Sequence, residues 1–360
     1  MSADIGGRVA ASLPLGPTQR EIAAEIGMSP DAFSRALRGE RGFAAVELAR
    51  LADYLGQDLH FLITGQPDPA RVIAAARHVF DHDTRSHKLP AVAKDVPHLE
   101  GVVLAYEQVQ GDFRPSDVPV SIEAARVALG PDFVRTFADR LDGIDIDVVR
   151  LKEIDGAYSF RVGDRAVIAL KATGNWFWEN WSMAHELGHL VYQSQALSMG
   201  LPADQGSSEI AANAFAAELL LPEDFMRSIT WSDLAAPQLA THVWNLGVST
   251  DALVKRLNGL ALPVSPEAAS WASQPTQRLL RRHWRATEEG DPITSRMDAA
   301  TARRFPLALQ DAHLARIASG LVRKDTLAWM LGVDLGSLEV DEPTDESLIS
   351  ADTLARTLGL

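Results

Sequence analysis

Residues 181–192 read WSMAHELGHLVY and place His185 and His189 four residues apart, with Glu186 between them. An α-helix completes a turn in about 3.6 residues, so both imidazoles stand on one face and can reach one tetrahedral zinc ion at about 2.0–2.1 Å. Glu186 lies about 100° round the helix, too far round to join the pair easily as a ligand. It is placed instead to take a proton from a metal-acidified water, the general-base role of the H-E-x-x-H pattern. Ala184, Leu187, Leu190 and Val191 supply apolar faces that bury such a helix, and Gly188 leaves room for a backbone to approach the metal.

Two histidines need a third protein ligand and an open fourth position. Residues 207–222, SSEIAANAFAAELLLP, offer one on a second helix. Ser207 or Ser208 can cap it, Glu209 falls in its first turn, and Asn213 stands one turn later on the same face. Glu209 is read as the third ligand, and Asn213 as the group that hydrogen-bonds a ligating histidine and fixes its tautomer. Glu218, more than two turns beyond Glu209, is the rival ligand.

HELGH after an aromatic-rich lead-in, followed by EIAANAFAAELLLP, resembles the ImmA/IrrE family of bacterial zinc metallopeptidases. The resemblance spans about residues 99–262. It implies a gluzincin-like α+β domain, with Zn²⁺ on His185, His189 and Glu209 and Glu186 as catalytic base. Leu221 stands where the family commonly has Met, a conservative apolar change. The family likeness also implies a substrate: a repressor-type protein, cut in a stress or mobile-element response.

At the other end of the chain, residues 18–26 read as a helix, Gly27-Met28-Ser29 as a tight turn with Ser29 as N-cap, and residues 30–37 as a second helix opening on proline. Residues 45–55 form a further apolar-periodic helix. The string QREIAAEIGMSPDAFSRALRGERGFAAVELARLADYLG resembles the five-helix lambda-repressor-like (Xre-type) helix-turn-helix domain. That likeness makes residues 30–37 the recognition helix, with Ser29, Asp31, Ala32, Ser34, Arg35, Arg38 and Arg41 as candidates for base or phosphate contacts. It further implies a homodimer reading an inverted repeat in specific double-stranded DNA. The local charge is balanced, because Arg20, Arg35, Arg38 and Arg41 face Glu21, Glu25, Asp31 and Glu40.

The 360 residues carry a formal net charge of −14, which disfavours indiscriminate adhesion to nucleic acid, so any DNA contact is expected to be local. With no cysteine, disulfides, thiol nucleophiles and thiolate-bound zinc are all excluded, and the metal falls to histidine and carboxylate. Neither a spanning apolar run nor a signal-peptide layout is present, so a cytoplasmic protein without membrane contact is expected.

The expected fold is mainly α with a small β-sheet, in four stretches: a helix-turn-helix domain at 1–66, a linker at 67–98, the metallopeptidase domain at 99–262 and a helical region of uncertain role at 263–360. Within them, residues 70–80 read as a helix, and His78, His82, His87 and His98 as solvated. Helices are expected at 121–129 and 131–141, and strands at 146–151, 157–162 and 166–170. An exposed edge of this sheet suits an extended substrate held by main-chain hydrogen bonds. Trp176, Phe177, Trp178 and Trp181 are read as packing at the entry to the motif helix. His242 is a candidate donor to an oxyanion. Arg278, Arg281, Arg282 and Arg285 give one cationic helix face, and residues 313–338 look like a degenerate helix-turn-helix. The rival to the enzyme reading is a transcription factor whose metallopeptidase-like domain only senses a ligand or partner.

Overall fold

The computed structural model describes residues 5–13, 17–55, 59–65, 73–75, 79–81, 86–88, 90–198, 205–285 and 290–343. The chain divides into two compact units, Met1–Arg71 and Val72–Leu360.

Among its described residues the first unit has five helices: Ile5–Ser12, Gln19–Glu25, Pro30–Leu37, Ala45–Leu55 and Leu59–Thr64. Thr18 and Glu21 form a reciprocal capping box at the second, and Ser29 Oγ accepts from the Ala32 N–H at 3.2 Å at the start of the third. Between them Gly27 turns the chain at φ 74°, a conformation glycine takes without a Cβ clash. Val9, Ile22, Phe33, Leu51 and Leu62 are fully buried and make the core. Arg8 donates to the carbonyls of Leu62 (3.0 Å) and Ile63 (2.6 Å), tying the first helix to the end of the last.

In the second unit the strands are β1 (Ile73–Ala75), β2 (Val79–Asp81), β3 (Ser86–Lys88), β4 (Ile146–Leu151), β5 (Ala157–Val162) and β6 (Arg165–Lys171). The main sheet has the order β1-β5-β6-β4, with β4 parallel to β6 and the other pairs antiparallel, while β2 and β3 pair separately. Alternation splits the sheet cleanly. Ile146, Val148, Ala157, Ala166, Ile168 and Leu170 enter one core with the motif helix. Val149, Leu151, Tyr158, Phe160, Val167 and Ala169 enter a second core, covered by helices Pro90–Glu107, Leu307–Ala318 and Asp325–Leu331. Buried charges pin the register: Arg165 donates twice to Asp147 (2.6 and 2.7 Å), and the Tyr106 hydroxyl donates to the same carboxylate at 2.8 Å.

Several expectations are corrected here. Strands at 73–75 and 79–81 replace the helix expected at 70–80, the alanines being drawn into pairing with β5 against their helical preference. The β5 edge beside the motif helix is therefore paired rather than open. The linker reading of 67–98 gives way further at Pro90–Glu107, a helix that runs through Pro97 because Asp95 anchors it, accepting from the Tyr158 hydroxyl (2.6 Å) and the Asp155 N–H (2.8 Å). His78 and His82 lie outside the described residues, His87 is in β3, and His98 is half-buried in the helix. The helix expected at 131–141 is broken into a short 3-10 turn, Phe133–Arg135, and Phe137–Asp142 after Asp132 adopts φ 52°.

The described residues beyond 263 are integral to the second unit. Arg304 bridges the β4 edge through paired main-chain bonds with Arg150 (2.9 and 3.0 Å), and Leu309, Ile317, Leu327 and Met330 are buried under the sheet. The helix pair within 313–338 thus spends its apolar face on this core. No helix among the described residues is long and apolar enough to cross a membrane.

Candidate metal centre

The motif helix runs Trp176–Ser198 and is nearly all buried around the motif. Its start is an aromatic plug: Trp176 and Phe177 are buried with ring centroids 4.3 Å apart, and Trp176 meets Trp244 edge-on at 5.8 Å. Trp178 and Trp181 are partly buried against the same core. The second helix, Gln205–Leu220, begins ahead of Ser207 and Ser208, so these serines lie in its first turn rather than at its cap. The two helices approach closely at Gly188. A Cβ there would sit 3.1 Å from both Ala212 Cα and Phe215 Cβ, so the backbone that the glycine admits is that of the second helix.

This approach brings Glu209 to the histidines. His185 Nε2 and His189 Nε2 are 3.0 Å apart, and the Glu209 carboxylate lies 3.4 Å from the first and 3.2 Å from the second. The two imidazole nitrogens and the Glu209 carboxylate, which meets one ring with each oxygen, form a triangle. Ligands at about 2.0–2.1 Å from a tetrahedral zinc are about 3.3 Å apart, so the three donors fit three corners of that polyhedron. Among the described residues these are the His, Cys, Asp and Glu side chains that converge in a group of three or more. Burial raises the Glu209 carboxyl pKa, but the two histidines outweigh it and hold the group well below the ordinary carboxylate range.

His185 Nδ1 stands 3.1 Å from Asn213 Oδ1. An amide oxygen only accepts, so the ring proton sits on Nδ1 and the Nε2 lone pair faces the triangle. Glu186 is fully buried. Its Oε2 accepts from the Ser159 hydroxyl at 2.8 Å, while Oε1 has no partner among the described residues. Ser159 was not singled out from the sequence. The signal was available in the β5 alternation, which puts it on the same face as Ala157, toward the motif helix.

Glu218, the rival ligand, faces elsewhere, bound by Arg126 (2.8 Å) and by Arg256. His242 packs against the rings of Trp231 (5.2 Å) and Phe225 (6.5 Å), and burial pulls its imidazole pKa down. No hydrogen bond among the described residues joins it to the triangle.

In the first unit, Asp31, Arg35 and Arg38 are exposed, Ser29 is exposed at the cap, and Ala32, Ser34 and Arg41 are half-buried. The cations are partly neutralised at home. Arg38 donates to Glu40 (2.7 Å) and Ser34 Oγ (2.7 Å), Arg35 lies 3.9 Å from Glu40, and Arg41 pairs with Glu47 at 2.8 Å.

No curated protein and no solved structure matches the chain significantly. One family does: residues 141–258, the stretch holding β4 to β6, both helices and all of His185, Glu186, His189, Glu209 and Asn213, match the family described as Peptidase_M78, IrrE N-terminal-like domain.

Proposed function

We propose that the protein is a zinc-dependent endopeptidase that cuts a repressor-type protein and carries an N-terminal unit for specific double-stranded DNA. The observation that carries the hydrolytic reading is the His185–His189–Glu209 triangle beside the buried Glu186. Zinc held there supplies Lewis acidity, polarising a scissile carbonyl and making water acidic enough to ionise near neutral pH.

The chain's own residues do the rest. Asn213 fixes the His185 tautomer. Ser159 holds one Glu186 oxygen, leaving Oε1 to take the proton of the attacking water as its oxygen bonds to the carbonyl carbon. The same carboxyl then delivers that proton to the departing amine as the C–N bond breaks. DNA binding by the first unit rests on the resemblance of its sequence and on exposed Arg35 and Arg38. Their ion pairs are exposed to solvent, so they contribute little and are readily exchanged for phosphate.

The test is zinc content paired with cleavage assays on candidate repressor-type proteins. Wild type should hold about one zinc and cut, and Glu186→Gln should keep the zinc and lose cutting by about 10²–10⁴-fold. Wild-type regulation in cells carrying Glu186→Gln, with failure of His185→Ala, would favour the non-proteolytic sensor reading instead.

A further inference from the structure

The motif helix has a second working stripe. Trp176, Asn180 and Met183 recur at helical spacing and point about 150–170° away from His185 and His189. With Phe137, Arg296 and Ala300 they line a cavity of about 200 Å³. Its charges are unevenly settled. Arg150 is satisfied by Glu179 (2.6 and 3.0 Å), and Arg304 by Asp142 (2.6 Å) and Asp139 (3.1 Å). Arg296 pairs with no carboxylate among the described residues. Its guanidinium lies 5.3 Å from the Trp176 ring and 5.2 Å from the Trp244 ring, and Nη2 donates to the Val134 carbonyl at 2.8 Å.

Two donors at this cavity are buried with no acceptor among the described residues: Arg296 Nη1 and the Trp176 indole N–H. A buried donor without a partner costs free energy, more so on a charged group. Arg135, also lining the cavity, adds a second cation, which donates to the Asn245 amide oxygen at 3.5 Å. Desolvation, and then the Arg135 charge, pull Arg296 down to about 10, with Glu179 acting in the opposite sense. The pocket thus presents a guanidinium without an ion-pair partner among the described residues, and two N–H donors beside apolar walls.

We propose that this cavity binds a small monocarboxylate, whose oxygens accept from Arg296 Nη1 and Trp176 Nε1 and whose short apolar tail lies against Phe137, Met183 and Ala300. Two free donors and apolar walls suit a carboxylate better than phosphate, which brings more acceptors and more charge than the site can meet.

Titration of the full chain with butyrate and benzoate, by calorimetry and ligand-observed NMR, should give saturable binding of one molecule per chain. Arg296→Met should weaken it about tenfold or more, Trp176→Phe should weaken it severalfold while keeping the ring, and Arg323→Gln at a remote exposed site should leave it unchanged. Should Arg296→Met fail to fold, as read by circular dichroism, Trp176→Phe alone decides. Absence of saturable binding to wild type, or an unchanged affinity in the folded variants, overturns the proposal. So does inorganic phosphate that binds as tightly as the carboxylates.

Discussion

At the residue scale, Glu209 and Glu218 sit on one helix and meet opposite fates. Glu209 faces two imidazoles, and Glu218 is absorbed by two arginines. Metal analysis should accordingly find zinc lost from Glu209→Ala and retained by Glu218→Ala, and the reverse pattern would remove the proposed ligand set. Asn213→Ala frees the His185 ring to change tautomer, so zinc affinity should fall about 10–100-fold while the fold survives, measurable by chelator competition. Gly188→Ala forces a methyl against Ala212 and Phe215 at 3.1 Å. It should cost about 1–3 kcal/mol in denaturant unfolding and, by spreading the two helices, loosen the metal triangle as well.

At the element scale, His313 joins two helices of the second core. It is fully buried, and its Nε2–H donates to the Ala105 carbonyl at 2.7 Å. Burial depresses its imidazole below the ordinary 6.5, against a smaller opposing effect of that hydrogen bond. In the folded state the neutral ring is favoured, so the unfolded chain binds the proton first as pH drops. The stability from this residue is full above about 6.5 and is lost as pH falls through the lowered folded value. Thermal melts should therefore show a stability loss below pH 6.5 that flattens in His313→Gln; an unchanged slope would assign the acid sensitivity elsewhere. What the sequence discloses follows the same division between local and distant causes. The two histidines, Glu209 and Asn213 are legible because helical spacing alone sets them on faces, and β4 to β6 because their apolar residues are nearly continuous. β1 is not legible, since three residues, Ile-Ala-Ala, carry no period and become a strand only by pairing with β5. The helix through Pro97 is hidden for a related reason: its support comes from Tyr158 and Asp155, some sixty residues on.

At the scale of the whole molecule, the C-terminal helices decide what can stand alone. Leu309, Ile317, Leu327 and Met330 are all buried beneath the sheet. At about 1.5–3 kcal/mol each they represent as much as the net stability of an ordinary domain. Truncation after residue 262 should abolish the cooperative melting transition of the second unit, whereas residues 1–71, with their own core, should melt cooperatively by themselves. That fragment is expected to bind a selected inverted-repeat duplex with a steep salt dependence, and Arg38→Ala should weaken binding to all sequences alike. Failure to select any sequence from a random duplex library at low salt would make the first unit a protein-docking module.

The pairing of Ile73–Ala75 with β5 also sets the chain in competition with any extended peptide that adds to that strand. An extended peptide that adds to β5 needs the same N–H and C=O groups, opposite the register of Ser159 and Ala75, that β1 already holds. Its apparent dissociation constant is the intrinsic one divided by the fraction of molecules in which the edge is vacant; an edge vacant about 1% of the time weakens the peptide about a hundredfold. Occupancy by either one excludes the other, so the reach of the site toward outside chains is set by the docking equilibrium of a three-residue strand that lies ahead of it in sequence.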